Sequence, residues 1–216
     1  RRKTLSAALI IPLMFVVYYA LNLKGRVIQE GSQAVQSLES AKDNLTNLDF
    51  AAASENFVSA YQNFSNAGDQ LNFMGASLGG LLADLPGGNK LKSAQNMVEI
   101  GKLIADTGQS MALAMSAISK TGLILNPQGS SNVLLSEIIQ PLNDALGASD
   151  TNLKKVGTLL AGIDTAIIPE EKRAIFEEFQ KQFPQLQELV TQGSEFAGFL
   201  ENIIGVKGTK RYIILF

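Results

Sequence analysis

An almost unbroken apolar run, Leu5 to Leu23, limits what this chain can become more than any other stretch of it. LSAALIIPLMFVVYYALNL carries no charged side chain and follows directly on the basic cluster Arg1, Arg2 and Lys3. As a helix rising ~1.5 Å per residue it covers ~28 Å, close to the hydrocarbon thickness of a bilayer. A secretory leader would have a shorter apolar core and a small-x-small cleavage site. Here Tyr18 and Tyr19 stand at the distal end, where amphipathic rings favour a membrane interface. A buried soluble helix would carry polar residues at helical spacing, and only Ser6 and Asn22 interrupt this one. The run therefore reads as a transmembrane helix, with Leu5, Ile10, Ile11, Phe15, Tyr18, Tyr19 and Leu23 as anchor residues. Pro12 is tolerated because neighbouring groups or a local adjustment absorb the lost hydrogen bond.

Flanking charge sets the expected orientation. Three cations precede the run, and Lys24, Arg26 and Glu30 follow it, so the positive-inside tendency favours a cytoplasmic N-terminus and an extracytoplasmic bulk. The expected layout is a cytoplasmic basic flank at 1–4, a transmembrane helix at 5–23, an extracytoplasmic helical bundle at 24–205, and at 206–216 a linker with the start of a further, C-terminal domain. The chain opens on Arg rather than Met, so it is expected to be a fragment.

Beyond the anchor roughly 190 residues remain, enough for one domain with a substantial core. The chain carries 18 Lys plus Arg against 20 Asp plus Glu, for a net charge of -2, with no concentrated basic patch for a nucleic acid. His, Cys and Trp are absent. That excludes disulfides, thiolate or imidazole metal sites and any Ser or Cys nucleophile served by a histidine. No catalytic, cofactor-binding or metal-ligating residues are assigned, and no small-molecule ligand is evident.

The rest of the chain reads as all-α. Ala34, Leu38, Ala41, Leu45 and Leu48 fall at alternating steps of four and three, so the anchor is expected to run outward as a stalk helix, with Gly25 and Gly31 able to serve as a hinge. Asp49 stands as an N-cap before the cleanest pattern in the chain: Phe50, Ala53, Phe57, Ala60, Phe64, Ala67, Leu71, Met74 and Leu78. Large and small residues alternate on this stripe, which suits an antiparallel face where rings fill the spaces left by alanines. A ligand groove lined by phenylalanines is the rarer use of such a pattern.

Gly79, Gly80, Pro86, Gly87 and Gly88 predict the end of that helix and a turn. The Gly88, Asn89, Lys90 sequence lacks the Ser or Thr and the preceding strand of a phosphate loop, and Asn89 reads instead as the next N-cap. The third helix has Ala94, Met97, Gly101, Ile104, Gly108, Met111, Met115, Ile118 and Gly122 on one stripe. NPQGSSN at 126–132 predicts a loop. A fourth helical region carries Pro141, expected to kink it, and the polar GASDTN at 147–152 is expected to break it.

Pro169 fits the first turn of a final long helix, with Glu170 and Glu171 at the positive end of its dipole. Its inner face is expected to hold Phe176, Phe179, Phe183, Leu186, Val190, Gly193, Ala197, Leu200 and Ile204, with a bend at Pro184. The charge run around Glu177 and Lys181 reads as a solvated face rather than acid-base machinery. The expectation is about four to five long helices, with Phe50, Ala53, Phe57, Ala60, Phe64, Met97, Gly101, Met111, Phe179 and Phe183 among the packing residues.

After Gly205 the sequence changes to VKGTKRYIILF, a basic turn leading into a strand-like apolar run. Lys210, Arg211, Tyr212, Ile213, Ile214, Leu215 and Phe216 resemble the opening of a motif in the membrane-anchored bacterial proteins grouped as domain of unknown function 4012, and Asp49-Phe50-x-x-Ala53 with Phe57 and Ala60 resembles their helical part. The resemblance implies a bacterial envelope protein with a C-terminal domain opened by that strand, and it supplies no catalytic residues. The expected function is a structural or interaction module: an anchored helical spacer or surface-assembly subunit. Its expected partners are the lipid bilayer and either further copies or other envelope proteins. The alternatives are a tethered envelope enzyme whose active site lies in the further domain, and a sensor or adhesin ectodomain.

Overall fold

The computed structural model describes residues 26–82, 88–120, 135–168 and 170–204. Among them are five α-helices: α1 (Arg26–Thr46), α2 (Phe50–Leu82), α3 (Gly88–Lys120), α4 (Leu135–Ala161) and α5 (Glu170–Ile204). A single 3-10 turn, Thr165–Ile167, sits between α4 and α5, and the described residues hold no strand. The all-helical bundle expected from periodicity is what forms. No helix among the described residues is long and apolar enough to cross a membrane. The expected anchor, the hinge position Gly25 and the 206–216 segment lie outside those residues.

The α1–α2 turn shows how three residues reverse a helix. The N–H of Asp49 donates to the carbonyl of Asn44, and that of Leu48 donates to Leu45, which satisfies two of the carbonyls in the last turn of α1. This arrangement puts Leu48 at φ 60, a left-handed conformation that costs a non-glycine residue about 1 kcal/mol or more. Asp49 then changes role: its Oδ1 accepts from the Ala52 N–H and starts α2.

Each helix packs chiefly on its sequence neighbours: α1 on α2, α2 on α3, α3 on α4 and α4 on α5, with a slight touch of α1 on α3. Cross-helix pairs show that successive helices run antiparallel. Phe57 meets Gly108 while Phe64 meets Gly101, Asp106 meets Asn152 while Asn96 meets Gly162, and Leu153 meets Gln187 while Asn143 meets Glu201. The bundle is thus an open row with a continuous apolar core running from Val27 to Phe183.

Several boundaries differ from the sequence reading. Helix α1 runs unbroken through Gly31, whose position is buried, so no hinge forms there. Helix α2 continues through Gly79 and Gly80 to Leu82, and α3 begins at Gly88, one residue ahead of the expected cap at Asn89. The expected break at GASDTN is absent, because α4 is continuous from Leu135 to Ala161. Its polar residues are used across helix interfaces: Asn152 donates to Asp106 on α3 at 2.7 Å, and Asp150 accepts from Thr191 on α5. Ser149, fully buried, returns its hydroxyl to the Ala145 carbonyl at 2.7 Å. Pro141 and Pro184 both lie inside helices that continue past them.

Candidate functional site

The packing residues sort into two seams. On α2, Phe50, Ala53, Phe57, Ala60 and Phe64 are buried, as are Met97 and Gly101 of α3. The phenylalanine rings sit directly on glycines, Phe64 on Gly101 and Phe57 on Gly108, which brings the two backbones close. Met111, farther along α3, is only half-buried. Phe179 and Phe183 belong to the separate α4–α5 seam, where their ring centroids are 5.7 Å apart and tilted by 53°. The Phe stripes therefore build two interfaces rather than one aromatic cavity. The anchor residues and the Lys210, Arg211, Tyr212 and Phe216 motif lie outside the described residues.

Polar chemistry gathers in a shallow groove between α2 and α3, beside Leu159 of α4. Its groups are largely engaged with one another. Gln95 donates to Asn72, and Asn96 donates to the carbonyls of Leu159 and Gly162 at 3.5 and 3.4 Å. Lys102 bonds Glu99 at 2.9 Å and lies 5.7 Å from the centre of the Tyr61 ring. Partial burial works against the lysine charge, but the Glu99 hydrogen bond and the attraction of Glu99, Tyr61 and Asp69 outweigh it and raise its pKa above the ordinary value. Nearby, the Ser93 hydroxyl accepts from the Asp164 N–H and pins the turn after α4. No group of three or more acidic residues in this groove, or elsewhere among the described residues, is placed to hold a metal ion. The arrangement ties helices together and offers no activated nucleophile.

The feature suited to contact with another molecule is on α5. Leu189, Phe196 and Phe199 are 57%, 61% and 58% exposed, and Ile203 at the end of the row is 42% exposed. They follow one another at steps of seven, three and four, so they form a single stripe ~21 Å long on one side of the helix. Helix α5 packs along α4, which takes the opposite side through Phe176, Phe179, Phe183 and Ala197. Beside the stripe stand the exposed Glu188 and Glu195, while Glu201 is buried and accepts from Asn143 of α4; from Gln182 to Ile204 there is no Lys or Arg. Large exposed apolar side chains in a row, bordered by charge of one sign, mark a surface suited to protein contact.

Sequence reasoning missed this stripe. Its signal was legible as a second heptad row offset from the inner face, but the inner row of Phe176, Phe179 and Phe183 is denser and dominates the periodicity. No family model, curated protein or solved structure matches the chain.

Proposed function

We propose that the protein is a single-pass envelope protein, anchored by Leu5–Leu23, whose extracytoplasmic helices act as a spacer and present an interaction surface away from the membrane. The observation that carries this reading is the parity of the row. Five antiparallel helices put the start of α1 and the end of α5 at opposite ends of the bundle. Following the cross-helix register, Ile204 stands on the order of 40 Å beyond Arg26 along the helix direction. An anchor before α1 and whatever follows α5 would thereby be held apart by stacked helices.

The packing style suits a spacer. Phe-on-Gly contacts and alanines such as Ala53, Ala60 and Ala67, all fully buried, give closely spaced, stiff helix pairs. The α5 stripe lies toward the far end, where a neighbouring envelope protein or another copy would meet it. The resemblance of Lys210–Phe216 to the strand motif of domain of unknown function 4012 fits the same layout, since that strand would begin at the far end.

Because the chain has no cysteine, paired spin labels test the geometry directly. Labels at Arg26 and Asn202 in the reconstituted protein are expected ~50 Å apart, combining ~35 Å along the helix direction with interhelix spacings of ~9 Å across the row, and a separation of ~35 Å or less would defeat the spacer reading. Protease added to intact cells is expected to cleave the 24–205 region. Protection there, while known surface proteins are cut, would defeat the extracytoplasmic placement.

A further inference from the structure

The two edges of the row differ in what they turn outward. Helix α1 exposes Gln29, Gln33, Gln36 and Glu39 on the side away from its buried Ala34, Leu38 and Ala41. Helix α5, at the other edge, exposes Leu189, Phe196 and Phe199 on the side away from α4, with exposed Gln192 among them. From Leu189 through Gln192 and Phe196 to Phe199 the steps are three, four and three, the a and d positions of a heptad repeat. The g positions then hold Glu188 and Glu195, both exposed, and the e positions hold Leu186, Gly193 and Leu200, half-buried and uncharged.

We propose that a second copy of this chain covers the α5 stripe, the two α5 helices pairing in parallel about a two-fold axis as a short two-helix seam. The inference rests on the reading of the stripe as a contact surface, whose partner it names, and not on the membrane anchor. A head-to-tail contact would set the stripe against the polar edge of α1 in the next copy and leave its phenylalanines facing glutamines, whereas a symmetric contact sets apolar on apolar. Charge then decides the orientation. In an antiparallel pair centred on Phe196, g faces g and Glu195 of one copy lies against Glu195 of the other. In a parallel pair g faces e, which puts Glu188 over Gly193 and Glu195 over Leu200 of the second copy and keeps the carboxylates apart. Covering the stripe and its polar neighbours on both copies removes on the order of 1,000 Å² from water, the lower limit for a specific interface, so the pair forms where copies are concentrated.

The chain has no cysteine, so single cysteines read the pairing. The full chain is concentrated in mild detergent and oxidised, with Gln192→Cys in the seam and Gln33→Cys on the polar edge as control; both changes fall on exposed residues and leave the core intact. The expected result is a disulfide-linked dimer of the Gln192→Cys protein in several-fold excess over the control, lost when Phe196→Ser and Phe199→Ser are added. Leu189→Cys and Ile203→Cys proteins tagged to different sizes and mixed are expected to give no more mixed dimer than the control, because parallel pairing holds these positions ~21 Å apart. Linking of the Gln192→Cys protein at the control level overturns the proposal, and so does mixed Leu189→Cys with Ile203→Cys dimer in excess of Gln192→Cys dimer. Should the Gln192→Cys protein fail to link while Phe196→Ser with Phe199→Ser still alters cross-linking to other proteins in intact cells, the second copy is overturned and the contact surface stands. With that cross-linking unaltered as well, both are overturned.

Discussion

The Phe64 ring rests on Gly101 so closely that a β-carbon at the glycine would lie 2.7 Å from two ring carbons. The same relation recurs seven residues away on each helix, where a β-carbon at Gly108 would come within 2.3 Å of Phe57. Neither ring has room to retreat, because both are almost wholly buried. Gly101→Ala would gain up to ~1 kcal/mol of helix propensity but lose ~1–3 kcal/mol to overpacking, so net destabilisation is expected. Gly147 on α4 is the control: a β-carbon there would meet no surrounding heavy atom within 4 Å, and Gly147→Ala is expected to stabilise by ~0.5–1 kcal/mol. Denaturant midpoints of the two variants, moving in opposite directions, check both.

Asn152 and Asp106 join α4 to α3 through a hydrogen bond of 2.7 Å at a site where the asparagine is 7% exposed. Asn152→Ala leaves the carboxylate without this donor, and a loss of ~1–3 kcal/mol is expected. The double variant with Asp106→Ala should lose less than the sum of the single changes, which a double-mutant cycle on urea unfolding measures.

Asp150 sits between α4 and α5, and the hydrogen bond from Lys154, followed by that from Thr191, holds its carboxyl below the usual aspartate range. A carboxyl depressed in the folded state stabilises the fold fully above the unfolded value of about 3.9, and this contribution is lost as pH falls through the lower folded value. The α4–α5 seam is therefore expected to weaken as the solution is acidified below about pH 4. Asp150→Asn should flatten that part of the profile, measured as the denaturant midpoint against pH. An identical acid limb in both proteins would contradict the assignment.

Phe196 and Phe199 cover no core, so replacing both with Ser is expected to shift stability by no more than about 0.5 kcal/mol per site. If the stripe is an interaction surface, the same double change should abolish cross-linking of the protein to its neighbours in intact cells. Thermal unfolding and cross-linking on the same preparation separate the two effects. An unaltered cross-linking pattern would count against the stripe as the contact surface.

Much of the fold was legible in the residues. The Phe/Ala repeat from Phe50 to Leu71 and the aspartate before it define a helix and its start, and Phe176, Phe179 and Phe183 mark the buried side of the last one. Less was legible on α3, whose stripe through Met97 and Gly101 accounts for one neighbour only. Ser93, Asn96, Ile100 and Leu103 are buried as well, because this helix lies between α2 and α4 and is covered on two sides. A helix covered twice loses the amphipathic contrast on which a periodicity reading depends.

The sequence by itself determined the helical class, the short capped reversal at Asp49 and the glycine and alanine positions that admit close packing, since these depend on local backbone chemistry and spacing. Tertiary structure decided the rest. GASDTN, polar enough to end a helix in isolation, stays helical because Asn152 and Asp150 find partners on α3 and α5 that only the folded row brings within reach. The same row decides that Phe183 is core while Phe196, on the same helix, faces outward: α4 covers one side of α5, and no spacing rule records which side that is.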